Sequence, residues 1–282
     1  MNLNERLKAH QFTFKKQFGQ NFISDPHLLA KIADVCTWNP GDVVLEIGPG
    51  AGTLTHLLAE RAEKLLAVEI DTRLQPVLEE HLADCDNVSL FFGDALKSDL
   101  DQLITDHCQH TGTYKLVANL PYYITTPLIM HALEDCTRID DIVIMVQKEV
   151  AERLTAKPES KVYGAITVMV QYLCAVEYAF TVHRQAFTPA PDVDSAILHL
   201  LPYKEKPYQA KSDELMRQVV RAAFSQRRKT LRNSLSSLAV DKSIITAALE
   251  AAGIDGGRRA ETLTIEEFVQ LSDAFFTQGV LS

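Results

Sequence analysis

Apolar and polar positions alternate along the first two thirds of the chain in a way that is typical of strands separated by helices. Five short apolar runs have the length of buried strands, and amphipathic stretches at helical spacing separate them. The predicted strands are residues 43–47, 65–68, 88–92, 116–118 and 142–146. The predicted helices include residues 54–62 and 74–82. Alternation of this kind predicts a parallel sheet covered by helices on both faces, which is a doubly wound, Rossmann-like α/β domain.

The pattern changes near residue 203. Residues 203–211 are polar and contain Pro207, and the following segments have helical apolar spacing. These predicted helices are residues 215–224, 244–252 and 265–276. A chain of 282 residues is long enough for two domains. We therefore predict an α/β domain over residues 1–203 and a smaller all-α domain over residues 204–282.

A glycine-rich turn, EIGPGAG, follows the first predicted strand. Gly48, Gly50 and Gly52 let the backbone approach a ligand without a Cβ in the way, and a helix begins directly afterwards. Glu69 ends the second strand, about 20 residues beyond Gly48, where a carboxylate can bind ribose hydroxyls. These signals alone leave a dinucleotide-dependent oxidoreductase open.

Two details argue against the oxidoreductase, and a third adds a candidate contact. Thr53 stands where GxGxxG has its last glycine, and Glu46 would repel a pyrophosphate while favouring a cationic or amine-bearing ligand. Asp94, after the third strand, could accept a hydrogen bond from an adenine amino group. A turn-stabilising role for Asp94 is an equally good interpretation of that residue.

The tetrapeptide Asn119-Leu120-Pro121-Tyr122 follows the fourth predicted strand. The Asn119 amide oxygen and the backbone carbonyl of Leu120 or Pro121 are acceptors suited to an exocyclic NH2 group, and Pro121 fixes the local φ. The Tyr122 ring offers a face on which a planar base can stack. A loop that caps a helix and packs a tyrosine in the core is the structural alternative.

Composition and charge narrow the class of protein. With 46% hydrophobic and 23% charged residues, the chain is typical of globular proteins, and we expect a cytoplasmic protein without a membrane span. Its five scattered cysteines never form a CxxC spacing. The cluster of His107, Cys108 and His110 lacks further ligands nearby, so we predict no metal.

A local basic run stands out against the net charge of −9. Between residues 217 and 232 the chain has six basic residues and no acidic one, which favours contact with RNA phosphates over a merely solvated face. These residues are Arg217, Arg221, Arg227, Arg228, Lys229 and Arg232. The spacing of Arg217, Arg221, Arg228 and Arg232 predicts that one helical face presents all four.

Eight motifs occur in an order that resembles one known family. They are FGQNF, EIGPGAG, Glu69, GDA, NLPY, QKEV, FTPAPDVDSA and FSQRRKTLRNSL. Over almost its full length the chain is similar to the bacterial small-subunit rRNA adenine N6,N6-dimethyltransferases, the RsmA/KsgA family. The resemblance implies S-adenosylmethionine as the cofactor. It implies as substrate two adjacent adenosines in the 3′-terminal hairpin of 16S rRNA, within the immature small ribosomal subunit.

The resemblance also implies roles for individual residues. The expected cofactor contacts are Asn21, Ile23, Gly48, Glu69, Asp94 and Asn119. The expected catalytic residues are Asn119, Leu120, Pro121 and Tyr122, together with Phe187, which we interpret as the second face of the base pocket. Ile23 stands where the family motif commonly has Leu, a difference that affects packing detail only.

Two alternatives stay open beside this prediction. One is a related rRNA or DNA adenine methyltransferase, such as the large-subunit enzymes that confer macrolide resistance. The QKEV, FTPAPDVDSA and FSQRRKTLRNSL segments favour the small-subunit family. The other is a ribosome-assembly factor in which binding outweighs catalysis. A catalytically dead variant that still binds small subunits separates the second alternative from the first.

Overall fold

The computed structural model describes most of the chain. The described residues are Glu5, Ala9, His10, Phe12, 21–119 and 124–280. Residues 8–23 form an amino-terminal arm rich in basic and aromatic residues. Most of this arm and the predicted catalytic residues Leu120, Pro121 and Tyr122 lie outside the described residues.

The α/β fold class is confirmed, with nine strands in the described ranges. They are β1 (Phe22–Ile23), β2 (Val43–Ile47), β3 (Lys64–Glu69), β4 (Val88–Phe92), β5 (Tyr114–Asn119), β6 (Ile139–Gln147), β7 (Cys174–Val182), β8 (Phe187–Thr188) and β9 (Ser195–Pro202). Each of the five predicted strands matches one of β2 to β6, with β2 and β4 matching at both ends. Strands β7 and β9 were not predicted.

Seven strands form the central sheet in the order β4-β3-β2-β5-β6-β9-β7. The pairs β3–β4, β2–β3, β2–β5 and β5–β6 are parallel, so the carboxyl ends of these five strands lie along one edge. Strand β9 pairs antiparallel with β6. The predicted parallel sheet is therefore confirmed for the five predicted strands, and it places the predicted site at one edge. Beyond β6 the sheet continues with an antiparallel strand that the sequence did not predict.

Helices accompany the strands as the apolar spacing predicts. The α-helices of the described ranges are α1 (Pro26–Ala33), α2 (Thr53–Ala59), α3 (Gln75–His81), α4 (Leu100–Cys108), α5 (Thr125–Glu134), α6 (Lys148–Leu154), α7 (Ala165–Leu173), α8 (Asp213–Phe224), α9 (Leu231–Ser234), α10 (Lys242–Ala251) and α11 (Ile265–Thr277). Among the helices in the described part of the chain, none combines the length and apolar character needed to cross a membrane.

Side-chain caps explain where several helices begin. The Asp25 carboxylate accepts the His27 N–H at 2.9 Å and Pro26 follows as the first helical residue of α1. At α11 the Thr264 hydroxyl accepts the Glu267 N–H while the Glu267 side chain accepts the Thr264 N–H, a reciprocal capping box.

The chain divides into two compact units. One unit comprises Met1–Ala151 with Val176–Pro202, and the other comprises Glu152–Ala175 with Tyr203–Ser282. The predicted division after residue 203 differs from this one at Tyr203 and, more substantially, in residues 152–175, which belong to the second unit. This segment contains α7, whose buried Thr167, Val168 and Val170 make it a core helix of that unit.

Candidate cofactor and substrate site

The glycine turn after β2 has the backbone geometry that its sequence requires. Gly48, Gly50 and Gly52 have φ angles of +76°, +60° and +80°, in the left-handed region that favours glycine. A Cβ on Gly48 would lie 3.0 Å from the Asn119 carbonyl oxygen, and one on Gly50 would lie 2.6 Å from the Phe22 ring. The turn is therefore closely surrounded on two sides and tolerates no side chain at these positions.

The end of the amino-terminal arm is held against this turn. Strand β1 pairs antiparallel with β8, so that Ile23 faces Phe187 across the two-stranded sheet. The Thr53 hydroxyl, in the first turn of α2, donates to the Ile23 carbonyl at 3.0 Å. Phe22, the last residue of FGQNF, is thus brought to the start of FTPAPDVDSA, and the half-buried Asn21 precedes it.

Glu69 is positioned by backbone groups at the carboxyl end of β3. Its Oε2 accepts the Gly50 N–H at 3.2 Å and its Oε1 accepts the Asp71 N–H at 2.8 Å. Burial raises the pKa of Glu69 to about 7, against the lowering effect of these two hydrogen bonds. The side chain that the sequence predicts to bind a ribose therefore also fixes the glycine turn.

Glu46 lies in the interior of β2, and only 1% of its surface is exposed. Burial raises the pKa of Glu46 to about 8, and the charge of Glu69 adds to the effect. Its Oε2 has no hydrogen-bond partner among the described residues. The carboxyl edge of the sheet thus holds two buried carboxyl groups, and no cation pairs with either in the described part of the chain.

Asp94 and Ile70 lie beside Glu69. The Gly93 N–H donates to the Glu69 carbonyl at 2.9 Å, which brings the next residue, Asp94, to the same edge. Asp94 caps a short 3₁₀-helix, Ala95–Lys97, by accepting the Leu96 N–H at 3.1 Å, so the predicted turn-stabilising role is confirmed. Ile70 is 48% exposed, an apolar side chain that sequence reasoning missed because nothing in the pattern distinguishes it from a strand residue.

The structure places the remaining predicted residues as follows. Asn119 is the last residue of β5, half-buried and close to the glycine turn through its carbonyl. Phe187 is only 5% exposed and packs in the core with Ile23, Leu29 and Ile197. Its role as a base-stacking face stays a prediction, and the ring would have to leave or share this packing to serve it.

The basic run does not lie on one helical face, so that prediction is wrong. Helix α8 carries Arg217 and Arg221 but ends at Phe224, and a new helix, α9, begins at Leu231. Arg228 and Lys229 lie in the exposed connection between them, and Arg232 lies on α9. Leu231 is fully buried and anchors the second helix, which prevents α8 from continuing through the run.

Two of the basic residues are already engaged within the second unit. Arg217 forms an ion pair with Glu214 one helical turn away. Arg227 donates a hydrogen bond to the Lys161 carbonyl. The exposed Arg221, Arg228 and Arg232 are therefore better placed to contact a ligand than the run as a whole.

The residues at the carboxyl edge fit a nucleoside-bearing cation better than a dinucleotide. The glycine turn offers close backbone approach, Glu69 offers a carboxylate to hydroxyl groups, and exposed Ile70 offers an apolar surface to a flat ring. The carboxyl groups of Glu46 and Glu69, which have no cation beside them among the described residues, disfavour a pyrophosphate and, when ionised, favour a positive charge. Adenosine attached to a sulfonium group has this combination of features.

Comparison with known proteins supports the same assignment. The family model described as "Ribosomal RNA adenine dimethylase" matches residues 11–276. The "Ribosomal RNA small subunit methyltransferase A" of Alkaliphilus metalliredigens is 47% identical over 268 residues, which cover 94% of this chain and 93% of the relative. The protein of the same description from Geobacillus kaustophilus is 46% identical over 274 residues, covering 96% and 94%.

Two solved structures are similar over nearly the whole chain. A dimethyladenosine transferase from Plasmodium falciparum has a TM-score of 0.79 and 27% identity, covering 92% of this chain and 98% of its own. The 23S rRNA methyltransferase ErmE has a TM-score of 0.69 and 29% identity, covering 91% and 100%.

Proposed function

Because the chain belongs to the ribosomal RNA adenine dimethylase family, we propose that it transfers methyl groups from S-adenosylmethionine to N6 of two adjacent adenosines in the 3′-terminal hairpin of 16S rRNA. The product is N6,N6-dimethyladenosine in the immature small ribosomal subunit. The observation that carries the proposal is the meeting of the glycine turn, Glu69 and Asn119 at the carboxyl edge of the parallel strands.

S-adenosylmethionine supplies an electrophilic methyl group when it is bound. Of this chain's residues, Gly48 offers backbone approach, Glu69 accepts from the ribose hydroxyls, and Asp94 accepts from the adenine amino group. Asn21 and Ile23, fixed beside the turn by the pairing of β1 with β8, border the same edge. Binding by these groups orients the methyl donor toward the end of β5.

Asn119 is proposed to act on the nucleophile. The adenine N6 lone pair is delocalised into the ring, so the amine must pyramidalise before it can attack. Acceptors on its two N–H bonds favour that geometry, and the Asn119 amide oxygen with the Leu120 or Pro121 carbonyl supplies them. Tyr122 stacks on one face of the extruded base, with Phe187 proposed for the other.

No strongly basic residue is needed for this reaction. Methylation makes the amine acidic enough to lose its proton to solvent or to a weak acceptor. The reaction is accelerated mainly by alignment of the methyl donor with the adenine amine, and in well-oriented systems such alignment lowers the activation barrier by about 7–11 kcal/mol. After the first transfer the nitrogen keeps one N–H and a lone pair, so fresh cofactor permits the second.

Mass spectrometry of rRNA provides the test of the reaction. Small subunits that lack the modification are incubated with the protein and S-adenosylmethionine, and large subunits are treated in parallel. We expect dimethyladenosine in the 3′-terminal hairpin of small-subunit RNA only. Methylation of large-subunit RNA alone would instead identify a protein with the substrate named for the similar ErmE structure.

Asn119→Ala separates catalysis from binding. Loss of an acceptor that acts mainly in the transition state should lower the single-turnover rate by about 10²-fold. Binding of small subunits should change little. A variant that transfers methyl at the wild-type rate contradicts the role of Asn119. A variant that binds small subunits normally but transfers methyl slowly shows that Asn119 acts in the reaction and that binding of the subunit is a separate property.

The exposed arginines are proposed to contact RNA phosphates. Replacing Arg221, Arg228 and Arg232 with Gln should weaken RNA binding and reduce the slope of log affinity against log salt by about 0.7–0.9 for each phosphate that the protein no longer neutralises. Arg217→Gln is the matched control, because Arg217 is paired with Glu214 and half-buried. An unchanged salt slope in the triple variant would show that RNA docks elsewhere.

A further inference from the structure

A mixed cluster of metal-ligating side chains lies away from the proposed catalytic residues. His56, Asp84 and Cys85 each offer one ligand atom, and these atoms lie within 4.8 Å of one another. The sequence gives no spacing signal for such a group, because His56 and the Asp84-Cys85 pair are far apart along the chain. The prediction of no metal rested on the spacing of the five cysteines and on the cluster of His107, Cys108 and His110, and neither observation addresses residues brought together by the fold.

We propose that His56, Asp84 and Cys85 bind a divalent transition-metal ion of the zinc class. An imidazole, a thiolate and a carboxylate form a donor set that suits zinc or cobalt and does not suit magnesium or calcium, which prefer oxygen ligands alone. With three protein ligands the tetrahedral ion keeps one position for water.

The distances between donor atoms are close to those of a tetrahedral site. Ligands about 2.0–2.3 Å from zinc stand roughly 3.3–3.8 Å apart along the edges of the tetrahedron. The His56 Nε2 lies 3.7 Å from Asp84 Oδ2, and the Cys85 Sγ lies 3.8 Å from the other carboxylate oxygen, Asp84 Oδ1. The carboxylate thus lies near both the imidazole and the thiol, and a rotation of the exposed Asp84 side chain has to bring one oxygen toward both to close the site around an ion.

Glu60 supplies a second observation that points to a metal. His56 directs Nε2 toward Asp84, while its Nδ1 lies 3.7 Å from Glu60 Oε1 on the next turn of the chain. Histidines that bind a metal through one nitrogen usually donate the other N–H to a carboxylate, which fixes the ring and its tautomer. Glu60 is placed for that role without being a ligand itself.

The three ligand residues lie on segments whose backbone is held by hydrogen bonds. His56 lies on α2, and the turn that holds Asp84 and Cys85 is closed by hydrogen bonds from Cys85 N–H to the Leu82 carbonyl at 2.9 Å and from Val88 N–H to the Cys85 carbonyl at 3.2 Å. Cys85 also packs against the apolar cluster that contains Ala51 and Leu82. Little of the chain has to be ordered when an ion binds.

An ion bound by His56, Asp84 and Cys85 would connect two segments of the α/β unit. The His56 ring stacks on the His81 ring at 5.6 Å, and a Cβ on Gly52 would lie 3.0 Å from His81. An ion at His56 would therefore tie the helix that follows the glycine turn to the segment before β4. We expect zinc to stabilise this part of the α/β unit against unfolding.

Cobalt binding tests the proposal directly, because thiolate ligation produces a charge-transfer absorption band. Protein stripped with a chelator is titrated with Co²⁺ alone. We expect one equivalent to bind with the thiolate band, Cys85→Ser to remove the band, and His56→Gln to weaken binding by at least tenfold. Glu60→Gln should weaken it about 10- to 100-fold, as loss of an orienting carboxylate does.

Cys136→Ser is the matched control, because Cys136 is also a half-buried free cysteine but lies outside the cluster. The proposal is overturned if wild-type protein shows no thiolate band, if Cys85→Ser keeps it, or if Cys136→Ser loses it equally. A measurement on the wild-type chain guards against misfolded variants: Zn²⁺ should slow alkylation of Cys85 at least tenfold and leave that of Cys136 unchanged. Equal rates for Cys85 with and without Zn²⁺ contradict the site.

Discussion

The central sheet buries ionisable side chains at both ends of its strands. Those at the amino ends are paired with opposite charges, whereas those at the carboxyl ends have no cation beside them among the described residues. Toward the amino ends of the strands, Lys115 Nζ lies 3.5 Å from Asp42 Oδ2 and 3.7 Å from Asp141 Oδ2. His199 Nε2 lies 2.8 Å from Asp141 Oδ1, and the Thr37 N–H donates to Asp141 Oδ2 at 3.3 Å. Every member of this amino-end network has a partner.

Toward the carboxyl ends, Glu46 and Glu69 are buried without a cation among the described residues. The folded chain tolerates these groups partly by raising their pKa values, to about 8 and about 7. A paired buried charge serves the fold, whereas an unpaired one costs stability unless a ligand compensates it. The contrast agrees with the proposal that the carboxyl end binds a positively charged ligand with hydrogen-bond donors.

The largest expected effect comes from breaking the amino-end network. Lys115→Met leaves two carboxylates without their cation and should lower the free energy of unfolding by about 3–5 kcal/mol. Lys64→Met is the control, because Lys64 donates to the neutral Cys108 carbonyl and should cost far less. Urea unfolding measures both. A loss below about 1 kcal/mol for Lys115→Met contradicts the distinction between the two ends.

Removing the ionisable Glu46 side chain, which has no cation beside it among the described residues, should instead raise the free energy of unfolding. Between pH 4.5 and pH 8 folded Glu46 binds more protons than unfolded Glu46, so the stability of the protein falls as the pH rises through this window. Glu46→Gln lacks that loss and should be more stable than the wild type by on the order of 2 kcal/mol at pH 9, with little difference near pH 4.5.

The control for this change is Glu79→Gln, a substitution of an exposed glutamate on α3. Its unfolding free energy should follow the wild-type pH profile throughout. If Glu46→Gln follows that profile too, ionisation of the buried Glu46 carboxyl group does not destabilise the folded protein. The two ends of the sheet then do not differ in the way described for Glu46.

A smaller effect is expected at the rim of the amino-end network. The hydrogen bond to Asp141 raises the pKa of His199, so the stabilisation is complete below the unfolded pKa near 6.5 and is lost as the pH rises through the folded pKa. His199→Gln should therefore lower stability by about 1 kcal/mol at pH 5.5 and by less at pH 9. Equal losses at the two pH values would mean that His199 contributes by packing alone.

Only the carboxyl end of this contrast could be predicted from the sequence, because continuous apolar runs show where the strands end, whereas nothing in the sequence indicates that Lys115, Asp42 and Asp141 meet. The bounds of β2 and β4 followed from such runs, and their parallel arrangement brought Gly48, Glu69 and Asp94 to one edge. The pairing of β1 with β8 could not be predicted, because strands of two residues carry no period.

Two errors have local physical causes. Strand β7 continues directly from α7 without a glycine or proline between them, so the apolar segment gives no sign of the change. The basic run contains no breaker either, yet the chain leaves the helix at Ser225 and starts again at Thr230, because Leu231 is buried in the second unit. In both cases tertiary packing overrode the local pattern.

Calorimetric titration of S-adenosylmethionine at several pH values tests the central claim most directly. In the proposed complex the ribose hydroxyls donate to an ionised Glu69, and burial raises the pKa of Glu69 to about 7. Affinity should therefore be constant above pH 8 and fall toward tenfold per pH unit below pH 6. Glu69→Gln should bind at least tenfold more weakly at pH 8 and lose this dependence, since a hydrogen bond to a charged group typically contributes about 1.5–3 kcal/mol. A folded Glu69→Gln variant with wild-type affinity, or a wild-type affinity that does not change from pH 5.5 to pH 8.5, would contradict the account.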